Sequence, residues 1–265
     1  MLSYEFMRIA FLGGSIIAII CGIVSYFVII RQSAFAAHGL AHISLTGAAG
    51  GVLIGISALS GQLIVNIIAA VIMGLLGDKI KKNDLAVGLV LTFFLGLGAY
   101  FLYLYQSGYS GSIMSILFGN ILTISSTQIT TLLILAIIIV ATLALIARML
   151  FFSALDPILA DASGLPKRLI SIVFFIVLAL TVSMACQIAG VLLVFALLIG
   201  PAAIANQWTQ GFYSTIVISI IVSTITVWLS LTAAFYLDLP ASFCITMLIC
   251  LFYLFGLVKN RLIKP

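Results

Sequence analysis

The chain has 265 residues, of which 65% are hydrophobic and only 6% are charged, and its formal net charge at pH 7 is +5. A soluble domain carries about 25% charged residues, so the composition excludes a soluble enzyme and predicts an all-α polytopic membrane protein. The positive charge is no sign of nucleic-acid binding, because the basic residues are confined to short connections between apolar runs. These runs are about 17–24 residues long, as membrane-spanning helices require.

The apolar runs predict about nine transmembrane helices within a single membrane domain that takes up residues 1–265. The predicted spans are residues 9–30, 34–57, 62–77, 85–105, 127–147, 169–186, 190–205, 212–236 and 241–258. Eight spans remain an alternative, because the two runs on either side of Gln187 are separated by little polar sequence. The segment 112–125 is too short and too polar to span, and is expected to form a re-entrant or surface helix.

The distribution of basic residues predicts the orientation of the chain. If the loop DKIKKND (78–84) is cytoplasmic, ten of the eleven lysine and arginine residues lie on that side, and only Arg8 lies outside. Cytoplasmic loops carry an excess of lysine and arginine. We therefore expect an external N-terminus and a cytoplasmic C-terminus.

Both histidines of the chain, His38 and His42, lie in the second predicted span. Residues four apart share one face of a helix, with Cβ atoms about 5–6 Å apart, so both imidazoles can reach one metal ion. Ionisable groups inside a membrane are rare and functional by default. A hydrogen-bonding role in helix packing is the alternative. Other polar residues in apolar runs have an orientation that the pattern leaves open: Asn66, Asn120, Gln187 and Thr226.

The same span predicts a close contact between helices, because Gly47, Gly51 and Gly55 recur every four residues.

Enzymatic activity is not expected. The chain lacks the P-loop pattern, and HGLAH has Gly39 where the zinc-protease motif HExxH carries its general base. The four cysteines lie in apolar runs without metal-site spacing. We expect passage of a ligand, with no permanently bound cofactor.

The longest polar connection, residues 148–168, contains signals for one short helix on the cytoplasmic side. Asp156 and Pro157 form a helix start, with aspartate as the cap and proline at the first position. Gly164, Leu165 and Pro166 form a stop.

Several short motifs occur in one order along most of the chain: AHGLAH (37–42), NDLAVG (83–88), LFGNIL (117–122), LDP (155–157) with GLP (164–166), GVLLVFALLIGPAA (190–203) and DLP (238–240). In these motifs the chain resembles the membrane (permease) subunit of ABC-type importers for zinc, manganese and iron. The resemblance implies a homodimer or close heterodimer with the metal path between the permease subunits. It also implies cytoplasmic ATP-binding subunits, an extracytoplasmic metal-binding protein and a location in the bacterial inner membrane.

The resemblance further implies that the short helix at 155–166 couples ATP hydrolysis to transport by docking on the ATPase. The expected coupling residues are Asp156, Pro157, Leu159, Gly164, Leu165 and Pro166. A secondary metal/proton transporter that uses the same histidines is the alternative function. A purely structural subunit would not require the histidine pair.

The chain departs from the family motif at His38, where the family has aspartate, whereas His42 matches the family histidine. A two-fold dimer would therefore offer four imidazoles and no carboxylate. Imidazole suits zinc, whereas manganese prefers carboxylate oxygen. Four nitrogen ligands suit tetrahedral zinc, so the departure favours zinc as the transported ion.

Overall fold

The computed structural model describes residues 4–77, 83–104, 119, 121, 125–155, 160 and 163–263. Within these ranges the chain folds into nine long helices joined by short connections, which confirms the all-α prediction. The helices are α1 (Glu5–Ile30), α2 (Ala34–Leu53), α3 (Ala58–Gly77), α4 (Asn83–Leu104), α5 (Ser126–Leu155), α6 (Lys167–Ala189), α7 (Val191–Trp208), α8 (Phe212–Leu237) and α9 (Ala241–Ile263).

Seven of the nine helices are long and apolar enough to cross a membrane, namely α1, α3, α4, α5, α6, α8 and α9. The shorter α7 contributes the apolar stretch Leu193–Trp208. The remaining helix, α2, is less apolar because it carries the histidines together with glycine, serine and threonine. Each helix overlaps one of the nine predicted spans.

Two of the helix ends differ from the prediction in an informative way. The second span was expected to reach residue 57, but α2 ends at Leu53. Gly55 follows in a connection with φ of +80°, which glycine adopts at no steric cost. The fifth span was expected to end at residue 147, but α5 continues to Leu155, because apolar residues follow Arg148 and extend the helix beyond the membrane-length core. Of the expected re-entrant segment 112–125, only residues 119, 121 and 125 are described.

The connection between α1 and α2 is a tight reversal at Gln32, which has a φ of +51°. The N–H of Ser33 donates to the carbonyl of Val28 at 2.9 Å, and the N–H of Gln32 donates to that of Ile29 at 3.0 Å. This pair of bonds is the Schellman ending of a helix. It turns the chain directly into the histidine-bearing helix.

Helices α1 and α2 each contact several neighbours in the fold. Helix α2 contacts α3, α4, α6 and α7, and helix α1 contacts α5, α6, α7 and α8. Helix α7 contacts both α1 and α2. The histidine-bearing helix is therefore held by several neighbours rather than attached at the edge.

The contact between α2 and α3 is the closest helix approach along α2. A Cβ added to Gly47 would lie 2.7 Å from the carbonyl oxygen of Gly61, and one added to Gly51 would lie 2.9 Å from the Cα of Gly61. Glycine permits this approach because it lacks a side chain. The predicted glycine contact is thus present at Gly47 and Gly51, whereas Gly55 lies beyond the helix and has no atom within 4 Å of its Cβ position.

Helices α6 and α7 are two separate helices, and the apolar part of α7 is shorter than a full membrane span, so eight spans remain consistent with nine helices. The break is at Gly190, whose φ of +84° is incompatible with a continuous helix. A second irregularity follows inside α7 at Pro201. There the buried hydroxyl of Ser25, on α1, accepts a hydrogen bond from the N–H of Ala202 at 3.1 Å and donates one to the carbonyl of Ile199 at 3.4 Å.

Basic side chains of the described residues gather at one end of the helices. Arg31 follows α1, donates to the hydroxyl of Ser171 on α6 at 2.8 Å, and lies over the ring of Phe174. Lys259, near the end of α9, lies 5.9 Å from the ring centre of Trp208, the last residue of α7. The ends of α1, α7 and α9 therefore meet the start of α6 on the same side.

Candidate metal site

The two histidines lie side by side on α2. Their ring centres are 4.6 Å apart and their planes meet at 81°. A zinc-bound imidazole nitrogen lies about 2.0–2.1 Å from the metal, so the centres of two rings at a tetrahedral angle are about 5 Å apart. The observed separation of His38 and His42 is close to this value. The helix thus places the two imidazoles side by side, as the four-residue spacing predicts.

The pair lies on the side of α2 that its neighbours cover least. His38, His42 and Leu45 are half-buried, whereas Leu40 and Ser44 on the other side are buried. The imidazoles are therefore accessible from the surface of a single chain. This arrangement fits a site that a second subunit would complete.

Phe195 of α7 is the aromatic neighbour of the pair. Its ring centre lies 5.0 Å from that of His38, with an edge-to-face angle of 71°, and 38% of the residue is exposed. An aromatic wall limits where an ion can approach His38. The sequence did not identify Phe195 as a site residue, because only tertiary packing brings α7 against α2.

The described residues contain no group of three or more histidine, cysteine, aspartate and glutamate side chains that could hold a metal ion. One chain thus offers two imidazoles in this part of the structure. Zinc usually takes four ligands, so two imidazoles alone do not complete a zinc site.

The structure shows the environment of two polar residues whose orientation the sequence did not determine. Asn66 of α3 is fully buried and donates to the hydroxyls of Ser44 at 2.6 Å and Ser183 at 2.9 Å. Thr226 is buried in α8 and donates to the carbonyl of Val222 in its own helix. Neither lies on the histidine side of α2. The side chain of Asn120 is outside the described residues, and Gln187 is half-buried near the end of α6.

The predicted coupling segment is described only at its end. Asp156, Pro157 and Leu159 lie outside the described residues. Gly164 has a φ of +69°, and the N–H of Leu165 donates to the carbonyl of Ala160 at 3.3 Å. This is the geometry of a helix stop, as predicted for Gly164, Leu165 and Pro166. Their role in coupling stays a prediction.

A cavity of about 460 Å³ lies at the basic end of the helices, beside the start of this segment. Its walls come from the ends of α1, α5 and α7 and from the start of α8: Tyr26, Ile29, Ile30, Phe151, Leu155, Asn206, Thr209, Gln210 and Thr215. Leu155 is the residue at which α5 ends and the coupling segment begins.

Comparison with known proteins shows the family. The profile of the ABC 3 transport family matches residues 3–260. The manganese transport system membrane protein MntC of Listeria monocytogenes is 30% identical over 220 residues, which are 83% of this chain and 78% of that relative. A probable metal transport system membrane protein of Treponema pallidum is 32% identical over 246 residues, or 92% of this chain and 91% of that relative.

A solved structure agrees with the sequence relatives. The structure of PsaBC from Streptococcus pneumoniae in complex with Fab has a TM-score of 0.85 and 26% identity, and the match covers 98% of this chain and 95% of that one. The match extends over all nine helices. ABC importers are driven by ATP, so membership of this family excludes the alternative of a secondary transporter. The chain belongs to the ABC 3 transport family, as the multi-pass, non-catalytic permease subunit of an ABC importer for divalent metal ions.

Proposed function

We propose that this permease passes zinc between two permease subunits, with His38 and His42 as its ligands. The observation that carries the proposal is the imidazole pair itself. The two rings lie 4.6 Å apart on the least covered side of α2. The second subunit, a further copy of this chain, would add another pair and give four nitrogen ligands around one tetrahedral ion.

Neutral ligands suit transient binding of a dication. Four imidazoles leave the +2 charge of the ion uncompensated, so it is held less tightly than between carboxylates. A transport site has to bind strongly enough to admit the ion and weakly enough to release it. Four neutral imidazoles without a carboxylate bind the ion weakly enough to release it.

The direct test replaces His38 and His42 by alanine, singly and together. We expect zinc uptake to be abolished in proteoliposomes that contain the complete transporter. Each single variant removes two of the four imidazoles of the proposed dimer and the double variant removes all four, and too few ligands then remain to hold the ion. Leu53→Ala, at the exposed end of the same helix, is the matched control and should transport normally. Normal zinc uptake by the double variant would end the proposal.

Manganese is the second candidate, since the matched protein of Listeria monocytogenes is named as a manganese transport system membrane protein. The distinction rests on His38. We expect His38→Asp to shift preference from zinc towards manganese, because manganese prefers carboxylate oxygen. Uptake assays with both ions in competition measure the ratio. A preference of the unmodified protein for manganese would overturn the assignment of zinc.

We propose an external N-terminus and a cytoplasmic C-terminus, in the bacterial inner membrane. The clustering of Arg31, Lys167, Arg168 and Lys259 at one end of the helices supports this orientation. The proposed partners are a pair of cytoplasmic ATP-binding subunits at that end and an extracytoplasmic metal-binding protein at the other. Labelling of cysteines introduced at the two termini, from outside and inside the cell, tests the orientation.

The segment 155–166 is proposed to contact the ATP-binding subunits, through Asp156, Pro157, Leu159 and the stop at Gly164, Leu165 and Pro166. Leu159→Glu places a charge on an apolar contact, so we expect ATP hydrolysis without transport and unchanged zinc binding. Leu169→Glu, just inside α6, controls for a new charge near this end. If the Leu159 variant assembles and transports at the original rate, the segment is only a connector.

A further inference from the structure

A buried amide joins three helices behind the histidine pair. Asn66 of α3 has no exposed surface, and its two N–H groups donate to Ser44 of α2 and Ser183 of α6 at 2.6 and 2.9 Å. Both serines also have no exposed surface. The hydroxyl of Ser44 donates in turn to the carbonyl of Leu40, and that of Ser183 to the carbonyl of Ala179. Every N–H and O–H in this cluster has a defined acceptor.

The cluster is hydrogen-bonded to α2 on the side away from the candidate metal site. A helix turns by about 100° per residue, so Ser44 lies about 160° from His42 and about 120° from His38 around the helix axis. Gly47, about 60° from Ser44, makes the backbone contact with α3. One side of α2 is therefore bound to α3, while the imidazoles lie on the other side.

The serine bond controls rotation more strictly than the glycine contact does. Close-packed glycines form a flat surface on which a neighbouring helix can slide or turn. A hydrogen bond of 2.6 Å between Asn66 and Ser44 breaks when α2 turns by a fraction of a residue step. In hydrocarbon no water replaces a broken bond, so the amide holds one rotational setting.

We propose that Asn66 is a positioning residue for the metal site: through Ser44 and Ser183 it sets the rotation of α2 and so aims His38 and His42 at the ion. This inference rests on the proposed function of the histidines as zinc ligands. Asn66 does not touch the ion, and it acts through the helix that carries the ligands.

The competing role for Asn66 is structural stabilisation alone, and the two roles differ in what they change. Loss of stability lowers the amount of folded transporter and the maximal uptake rate together. Misplaced ligands raise the zinc concentration for half-maximal uptake. Substitution of a residue that orients the ligands of a metal typically weakens affinity by about 10–100-fold.

The test compares Asn66→Leu, which keeps the volume and removes the amide, with Ser44→Ala, which removes only the acceptor on α2. Zinc uptake is measured in proteoliposomes with the complete transporter, and equilibrium zinc binding is measured without ATP. We expect both variants to raise the half-saturating zinc concentration by about tenfold, with the maximal rate per folded transporter retained. The double variant should match Asn66→Leu, because both changes break the same bond.

Thr226→Val is the matched control, since it removes a buried hydroxyl from α8, which bonds within its own helix. It should leave half-saturation unchanged. If Ser44→Ala and Asn66→Leu also leave half-saturation unchanged, or if the two changes add in the double variant, the positioning role is overturned. Ser44→Ala decides the matter if Asn66→Leu does not fold.

This result is separable from failure of the proposed function. Normal uptake in the His38 and His42 variants overturns the metal-site assignment itself. Abolished uptake in those variants, together with wild-type half-saturation in the Ser44 and Asn66 variants, overturns only the role of Asn66.

Discussion

A single methyl group at Gly47 tests how closely α2 and α3 have to pack. The added Cβ would lie 2.7 Å from the carbonyl oxygen of Gly61 and 2.8 Å from the Cα of Gln62. Both are backbone atoms, so no side chain can rotate away. Restoring an ordinary contact of 3.4 Å requires the helices to separate by about 0.7 Å.

The magnitude follows from two opposing effects. Overpacking a close-packed interior typically costs about 1–3 kcal/mol. Replacing glycine by alanine inside a helix returns about 0.5–1 kcal/mol. We therefore expect Gly47→Ala to lower the free energy of unfolding by about 0.5–2 kcal/mol.

The matched control is Gly39→Ala in the same helix. A Cβ there would meet the side chains of Val87, Met73 and Leu91 at 3.5–3.9 Å, which is ordinary van der Waals contact. This variant should gain the higher helix propensity of alanine without the clash. It should therefore be more stable than the wild type by about 0.5–1 kcal/mol. The same chemical change thus has opposite signs at two positions eight residues apart.

Thermal unfolding of the purified protein in nanodiscs measures the difference. At about 2–4 °C per kcal/mol for a chain of this size class, the two variants should melt several degrees apart. Equal stability of Gly47→Ala and Gly39→Ala would refute the close backbone contact between α2 and α3. So would a Gly47 variant that is more stable than the wild type.

Three further predictions concern the same helix and its surroundings. Gln32→Gly should raise the free energy of unfolding by about 0.5–1 kcal/mol, because glycine relieves the left-handed conformation at the reversal; Gln32→Ala, which keeps a Cβ, should bring no gain in the same melting assay. Acidifying the medium should raise the half-saturating zinc concentration, because a protonated imidazole cannot ligate a metal, and a flat pH profile would contradict imidazole ligation. Thr46→Val removes the hydrogen bond of 2.8 Å from α2 to the carbonyl of Phe94 on α4, and should destabilise the protein by about 1 kcal/mol in chemical unfolding; an unchanged midpoint would show that this bond adds no net stability.

Local patterns predicted the fold and the placement of the two histidines side by side, because both depend on short-range geometry. Runs of apolar residues set the positions of the nine helices, and four-residue spacing placed His38 and His42 together. The left-handed conformation of Gly164 also agrees with the stop that the sequence predicts, since a left-handed residue at a helix end favours glycine. In each case the relevant residues belong to one helix or to its immediate end.

The environment of the site depends on residues that are far apart in sequence, and the patterns did not reveal it. Phe195 is separated from His38 by 157 positions in the chain, and nothing in its own helix marks it as a neighbour. Asn66 reads as a polar residue in an apolar run, with equal reason to face a path or a neighbour. Its two serine partners come from different helices, so only packing decides between these roles.

The bond between α1 and the irregular part of α7 has a consequence for sequence variation. Pro201 supplies no N–H to its helix, and the hydroxyl of Ser25 serves the backbone on either side of it, at Ile199 and Ala202. With a regular residue at position 201, the N–H of Ala202 would donate to the carbonyl of Leu198 within a continuous helix, and the buried hydroxyl of Ser25 would lose this donor. The two positions are therefore expected to tolerate change together better than singly, so that Ser25→Ala is compensated in part by Pro201→Ala. Substitutions at Ser25 and Pro201, which are 176 positions apart, are thus expected to occur together.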